Sequence, residues 1–143
     1  MAQKLSPPGY ADFVVGAELS AAGLQFLNEL ARKIEGQQTF QDHFYIATGA
    51  DADFRLALNV PGSRKIISIT TRCASGTLTG TFKINTTALG GTANAISSSE
   101  QTQAHTTANQ MVAGDDLVMT GSANAACLGI TIGVKYQAAP IFV

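Results

Sequence analysis

Histidine, cysteine and clustered aspartate are the residue types that most often do chemistry, and this sequence is short of all three. His43 and His105 are its two histidines, and neither has a second histidine, a cysteine or a carboxylate at metal-ligand spacing. A solitary histidine in a strand reads as a surface or satisfied polar group. Cys73 and Cys127 stand too far apart for a Cys-x-x-Cys pair; their places in or beside expected strands favour small buried thiols, with an inter-strand disulfide as the alternative. Asp51 with Asp53, and Asp115 with Asp116, have oxygens suited to a calcium ion at the end of a sandwich. Both pairs sit at turns, where aspartate is favoured for its own hydrogen bonding. No nucleophile elbow, P-loop or dinucleotide fingerprint occurs, and the glycines are spread as turn formers. With charged residues at 13%, little material remains for acid–base catalysis. The expectation is therefore no enzymatic activity, no catalytic residue, no metal and no cofactor.

Binding needs different residues. The tyrosines are Tyr10, Tyr45 and Tyr136, and there is no tryptophan, so flat aromatic platforms for a sugar are scarce. The polar stretch Thr86–Ser99 is the segment expected to meet a cell-surface glycan, if one is bound. Asn85-Thr86-Thr87 matches a glycosylation sequon, which has no meaning without a secretory signal, and none is read in the first twenty residues. A net charge of -1, with no basic run, gives no electrostatic footprint for nucleic acid or a membrane surface. No apolar stretch approaches the roughly 18 residues that span a bilayer. The expected protein is made in the cytoplasm and stays soluble until recruited. The charged fraction is about half the usual 25%. Small neutral polar residues replace it, which suits β-structure packed against copies of itself or another protein.

The elements that must position these residues divide near residue 41. Residues 1–41 read as an extended arm plus a helical anchor, and 42–143 as an antiparallel β-sandwich, jelly-roll-like. Pro7 and Pro8 remove two backbone donors and bias Ser6 and Pro7 to an extended path. Tyr10, Phe13, Val14 and Val15 give that arm an apolar cluster suited to lying on another surface. The spacing predicts a helix from Ser20, as N-cap, to Glu35, with Gly36 ending it. Leu24, Leu27, Ala31 and Ile34 form its seam, widened by Phe26 and Leu30. This stripe docks either on a partner or on the chain's own sheet; one so short needs something to bury it. Pro7, Pro8, Tyr10, Phe13, Leu24, Leu27, Leu30, Ala31 and Ile34 are thus the candidate partner-binding residues.

From residue 42 the period is two. Strands are predicted at His43–Ala47, Phe54–Asn59, Lys65–Cys73, Thr77–Asn85, Ala95–Ser99, Gln101–Thr107, Asp116–Gly121 and Leu128–Tyr136, separated by Gly-, Pro- and Asp-bearing turns. The inward rows are Leu78, Phe82, Ile84; Leu128, Ile130, Ile132, Val134, Tyr136; Ile67, Ile69, Cys73; and Leu117 with Met119. Residues 95–109 also suit a helix, Met111 and Val112 should close one end of the core, and the apolar tail ending Ile141-Phe142-Val143 should be tucked away.

Several of these segments share a type. Phe82-Lys83-Ile84-Asn85-Thr86-Thr87-Ala88-Leu89-Gly90-Gly91-Thr92-Ala93-Asn94, continuing through Ser97-Ser98-Ser99-Glu100-Gln101, resembles the β-sandwich of small virion proteins of tailed bacteriophages. Gly114-Asp115-Asp116-Leu117-Val118-Met119 looks like the matching turn and strand. Leu5-Ser6-Pro7-Pro8 with Leu24-Gln25-Phe26-Leu27-Asn28-Glu29-Leu30 is similar to the N-terminal attachment region of such proteins. The resemblance covers most of the chain, rests on β-motifs rather than catalytic signatures, and transfers no catalytic residue. It implies a virion protein: a capsid-surface decoration or head-fibre subunit, commonly a homotrimer, docked on the major capsid protein or another virion protein. A tail or collar fibre subunit that binds a host glycan is the alternative.

Overall fold

The structure is a computed structural model and describes residues 21–37 and 39–138. Two compact units divide the chain: Thr39–Ala138, and the remainder, of which the helix is the described part. Helix α1 covers Ala21–Gln37 and so runs through Gly36 instead of stopping before it. Frayed last turns shift such boundaries by a residue or two. Gln25 donates from its side-chain amide to Glu29 one turn on, at 3.3 Å. The expected N-cap Ser20 lies outside the described residues, as do the arm with Pro7, Pro8, Tyr10 and Phe13 and the C-terminal tail.

The second unit is mainly β: nine strands, all antiparallel, forming a β-sandwich-like sheet. They are β1 (Thr39–Thr48), β2 (Asp53–Ala57), β3 (Arg64–Arg72), β4 (Ser75–Ile84), β5 (Thr87–Ala88), β6 (Asn94–Ile96), β7 (Gln101–Ala104), β8 (Gln110–Met111) and β9 (Leu117–Ala138). Residues 95–109 contribute two short strands and loops, not a helix. The two strands expected at 116–121 and 128–136 are one element of 22 residues, β9, bent in the middle. Its first half pairs with β2 and β4, and its second half with β1 and β3, so this single strand belongs to both faces of the sandwich.

The bend has identifiable causes. Ala123 (φ 51°) and Ala126 (φ 48°) adopt left-handed conformations that cost L-residues energy. Asn124 offsets that cost: its N–H donates to Asp51 Oδ1 (2.9 Å), its side-chain amide to Gly49 O (3.0 Å), and its Oδ1 accepts from Cys127 N–H (3.1 Å). The alternation therefore slips. Cys127 takes the inward place expected for Leu128, which is 46% exposed, while Ile130, Ile132, Val134 and Tyr136 are fully buried as the pattern requires. A second slip occurs in β3, where a bulge between Ile66 and Ser68 turns Ile66, not Ile67, into the core beside Ile69. Leu78, Phe82, Ile84, Leu117 and Met119 complete the interior; Met111 is buried there but Val112 is exposed.

Tyr136 anchors one end of the core. Its ring stacks on Phe40 at 5.1 Å, and the Arg64 guanidinium lies 5.1 Å from its centre. The hydroxyl is buried without a partner in hydrogen-bond geometry, although Arg64 is close enough to act on it electrostatically. Burial first, and Asp42 second, push its pKa up to about 12, against the pull of Arg64. The unfolded phenol titrates near 10, so the folded state keeps its proton longer and stability is lost as pH rises from about 10 through 12. Tyr136→Phe should remove that alkaline loss, about 1.4 kcal/mol between pH 8 and pH 11, in urea denaturation compared at those two values. It should cost little at neutral pH because no hydrogen bond is broken.

Candidate functional site

The residues singled out from the sequence fall into three places. On α1, Leu24 (52%), Leu27 (41%) and Leu30 (41%) are exposed in the single chain. Ala31 and Ile34 lie on the same helix, but their side chains are outside the description.

The aspartates are engaged in holding turns. Asp115 accepts from Val112 N–H (2.9 Å) and the Asn85 amide (2.8 Å), contacts that hold its carboxyl below the usual carboxylate range, Val112 contributing most. Asp116 accepts from Asn59 N–H (2.8 Å) and faces Arg55 at 3.7 Å. Asp53 accepts from the Thr120 hydroxyl, and Asp51 holds the β9 bend. Among the described residues no cluster of three metal-ligating side chains forms. His105 is buried in a polar network, with Nδ1 3.1 Å from Gly90 O and Nε2 3.3 Å from Asn94 Oδ1. Asn94 in turn donates to Ile69 O (3.1 Å) and so ties the loop of residues 90–105 to β3. This histidine is structural.

A polar surface on the outer face of β1, β9 and β3 is one that sequence reading missed. Register sets His43 on β1 opposite Gly133 on β9, and Gly133 opposite Thr70 on β3. One step along, Tyr45, Thr131 and Arg72 line up in the same way. Gln41, His43, Thr70, Arg72, Glu100, Thr131 and Gly133 line a depression of about 470 Å³ on this outer face. Gly133 forms part of its floor; a Cβ there would meet the Gln41 amide and lie 3.6 Å from His43 Nδ1. Arg72 is oriented by donating from Nε to Ser98 O (3.1 Å). No ion pair joins it to Glu100 among the described residues, where the pairs are Arg55–Asp116 and Arg64–Asp42. Tyr45, 69% exposed, stands at the edge, its hydroxyl near Gly129. The signal was available as two glycines alternating with Thr131 along β9, but the partner residues come from β1, β3 and the segment before β7, which only the fold assembles. The stretch expected to contact a glycan, Thr86–Ser99, borders a separate depression of about 430 Å³ at Thr86 and Thr87.

Compared with known proteins, the chain matches no family model and no curated protein. Among solved structures, it is similar to a chain described as "Crystal Structure of FLHE", at TM-score 0.36 and 14% identity, over 70% of this chain and 96% of that one. A likeness at that TM-score carries no argument about fold or function.

Proposed function

We propose that the protein is a structural subunit of a tailed-bacteriophage particle, a capsid-surface decoration or head-fibre protein that docks through its N-terminal arm and α1. The observation that carries this reading is the leucine seam of α1, exposed in the single chain and belonging to a unit separate from the self-contained β core. Three exposed leucines along one helix are costly in water and gain stability when a partner covers them. The partners that fit are copies of the chain, as a trimer, and a preformed shell of major capsid protein or another virion protein. The assembled virion is then where the protein resides.

Leu27→Asp tests it, because a carboxylate on that seam cannot be desolvated cheaply. The variant should keep the β circular dichroism of the parent yet fail to cosediment with purified heads. If the variant instead loses its β spectrum, the helix belongs to the core and the anchor reading fails. Recovery of the protein at the tail tip and not on heads overturns the placement.

The outer-face depression favours a second reading, a fibre subunit that binds a host glycan. Arg72, Glu100, Gln41 and His43 are planar polar groups of the kind that grip vicinal hydroxyls, and Tyr45 supplies a ring for the sugar's apolar face. On a glycan array the full chain should then bind, and Tyr45→Ala should weaken binding at least tenfold. Equal binding by that variant removes this reading.

A further inference from the structure

The two cysteines, far apart in sequence, are brought together by the fold. Arg72 at the end of β3 registers with Thr131 on β9, and Ser75 at the start of β4 with Leu128. Between them Ala74 N–H donates to Leu128 O (2.9 Å), so the backbone around Cys73 runs beside that around Cys127. Both side chains turn into the same core and both are reduced; the Cys73 thiol donates to Gly76 O at 3.3 Å and lies near enough to Cys127 to raise its pKa. Their positions differ in access. Cys73, buried at 2% exposure, still helps line a surface depression with Arg72, Ala74, Gly129 and Thr131, whereas Cys127 is fully enclosed.

We propose that Cys73 and Cys127 form an oxidisable dithiol that closes to an intramolecular disulfide when a low-molecular-weight disulfide, such as glutathione disulfide, reaches Cys73. The step is a two-stage exchange. Cys73 gives up its proton and its sulfur attacks one sulfur of the reagent; the reagent's S–S bond breaks, and one small thiolate leaves and is protonated. Cys127 then gives up its proton and attacks the Cys73 sulfur, expelling the second small thiolate, which is protonated in turn. The protein loses two protons and two electrons, and the reagent disulfide is reduced to two thiols. The order follows from access: Cys73 lines the depression, whereas Cys127 is enclosed, and burial first, with the neighbouring Cys73 second, pushes its thiol up to about 11. The closed bond would tie the end of β3 to the far half of β9. This inference stands on the cysteine geometry alone and does not depend on the assembly reading.

Incubating the native full chain with glutathione disulfide at pH 8 tests it. The expected product is a monomer lighter by two hydrogen atoms, with Cys73 and Cys127 in one linked peptide and a melting temperature raised by about 10 °C. Cys127→Ser should trap one glutathione on Cys73, and Cys73→Ser should take up almost none while folded. A wild-type chain that ends as a stable glutathione adduct, as a cross-linked dimer, or unreacted with both thiols intact overturns the proposal. The wild-type result decides even if either variant fails to fold.

Discussion

Gly76→Val is expected to destabilise the β unit severely. Gly76 sits at the start of β4 with φ +76°, a conformation that a β-branched residue adopts only under strain. Space is lacking as well: a Cβ there would fall well inside contact distance of the carbonyl oxygens of Ala125 and Ala126 in the bend of β9. These atoms are backbone and cannot swing aside. Strain and overlap together should cost about 4 kcal/mol or more, against a total stability of about 5–15 kcal/mol for a unit of this size. The check is the β circular dichroism spectrum and soluble yield of the variant. Gly62→Ala is the control: a Cβ at Gly62 meets nothing within 4 Å, so its denaturation midpoint should match the parent's.

Phe82→Ala should have the next largest effect, a loss of about 3–5 kcal/mol in urea unfolding. Phe82 is one of the largest fully buried side chains and stands opposite Met119 across the β4–β9 pair. Its ring also tilts toward His105, 6.5 Å away, so the cavity would open beneath the Asn94–His105 network as well as in the apolar core. The surrounding strands are fixed by their ladders and can collapse into the space only in part. Tyr45→Ala, on the exposed outer face, should change stability by less than about 0.5 kcal/mol and so separates loss of fold from loss of ligand contact.

The fold class was legible because a half-buried antiparallel strand writes itself as alternation. Leu78, Phe82 and Ile84, and Ile130 through Tyr136, carry that signal cleanly and are buried as read. Errors arose where the backbone departs from the regular pleat. A bulge at Ile66/Ser68 and left-handed alanines at 123 and 126 each shift the inward face, and nothing in the side-chain types announces them. Alanine is a poor marker of a left-handed turn, so the bend in β9 read as a break between two strands. Fewer site features were legible. The leucine seam of α1 follows from periodicity, but the outer-face depression depends on register among β1, β9 and β3, and register is a tertiary property. The cysteine pair was likewise visible only as two separate thiols.

The bent strand β9 also governs when this protein can fold during synthesis. Because β1, β2, β3 and β4 all pair with residues 117–138, a growing chain that has not yet released that segment from the ribosome has no long partner for any of them. Folding therefore waits for that segment and is dominated by distant contacts, which makes it slow and leaves strand edges open meanwhile. The edge strand β7, Gln-Thr-Gln-Ala, is short and polar, which keeps the aggregation hazard of that delay low.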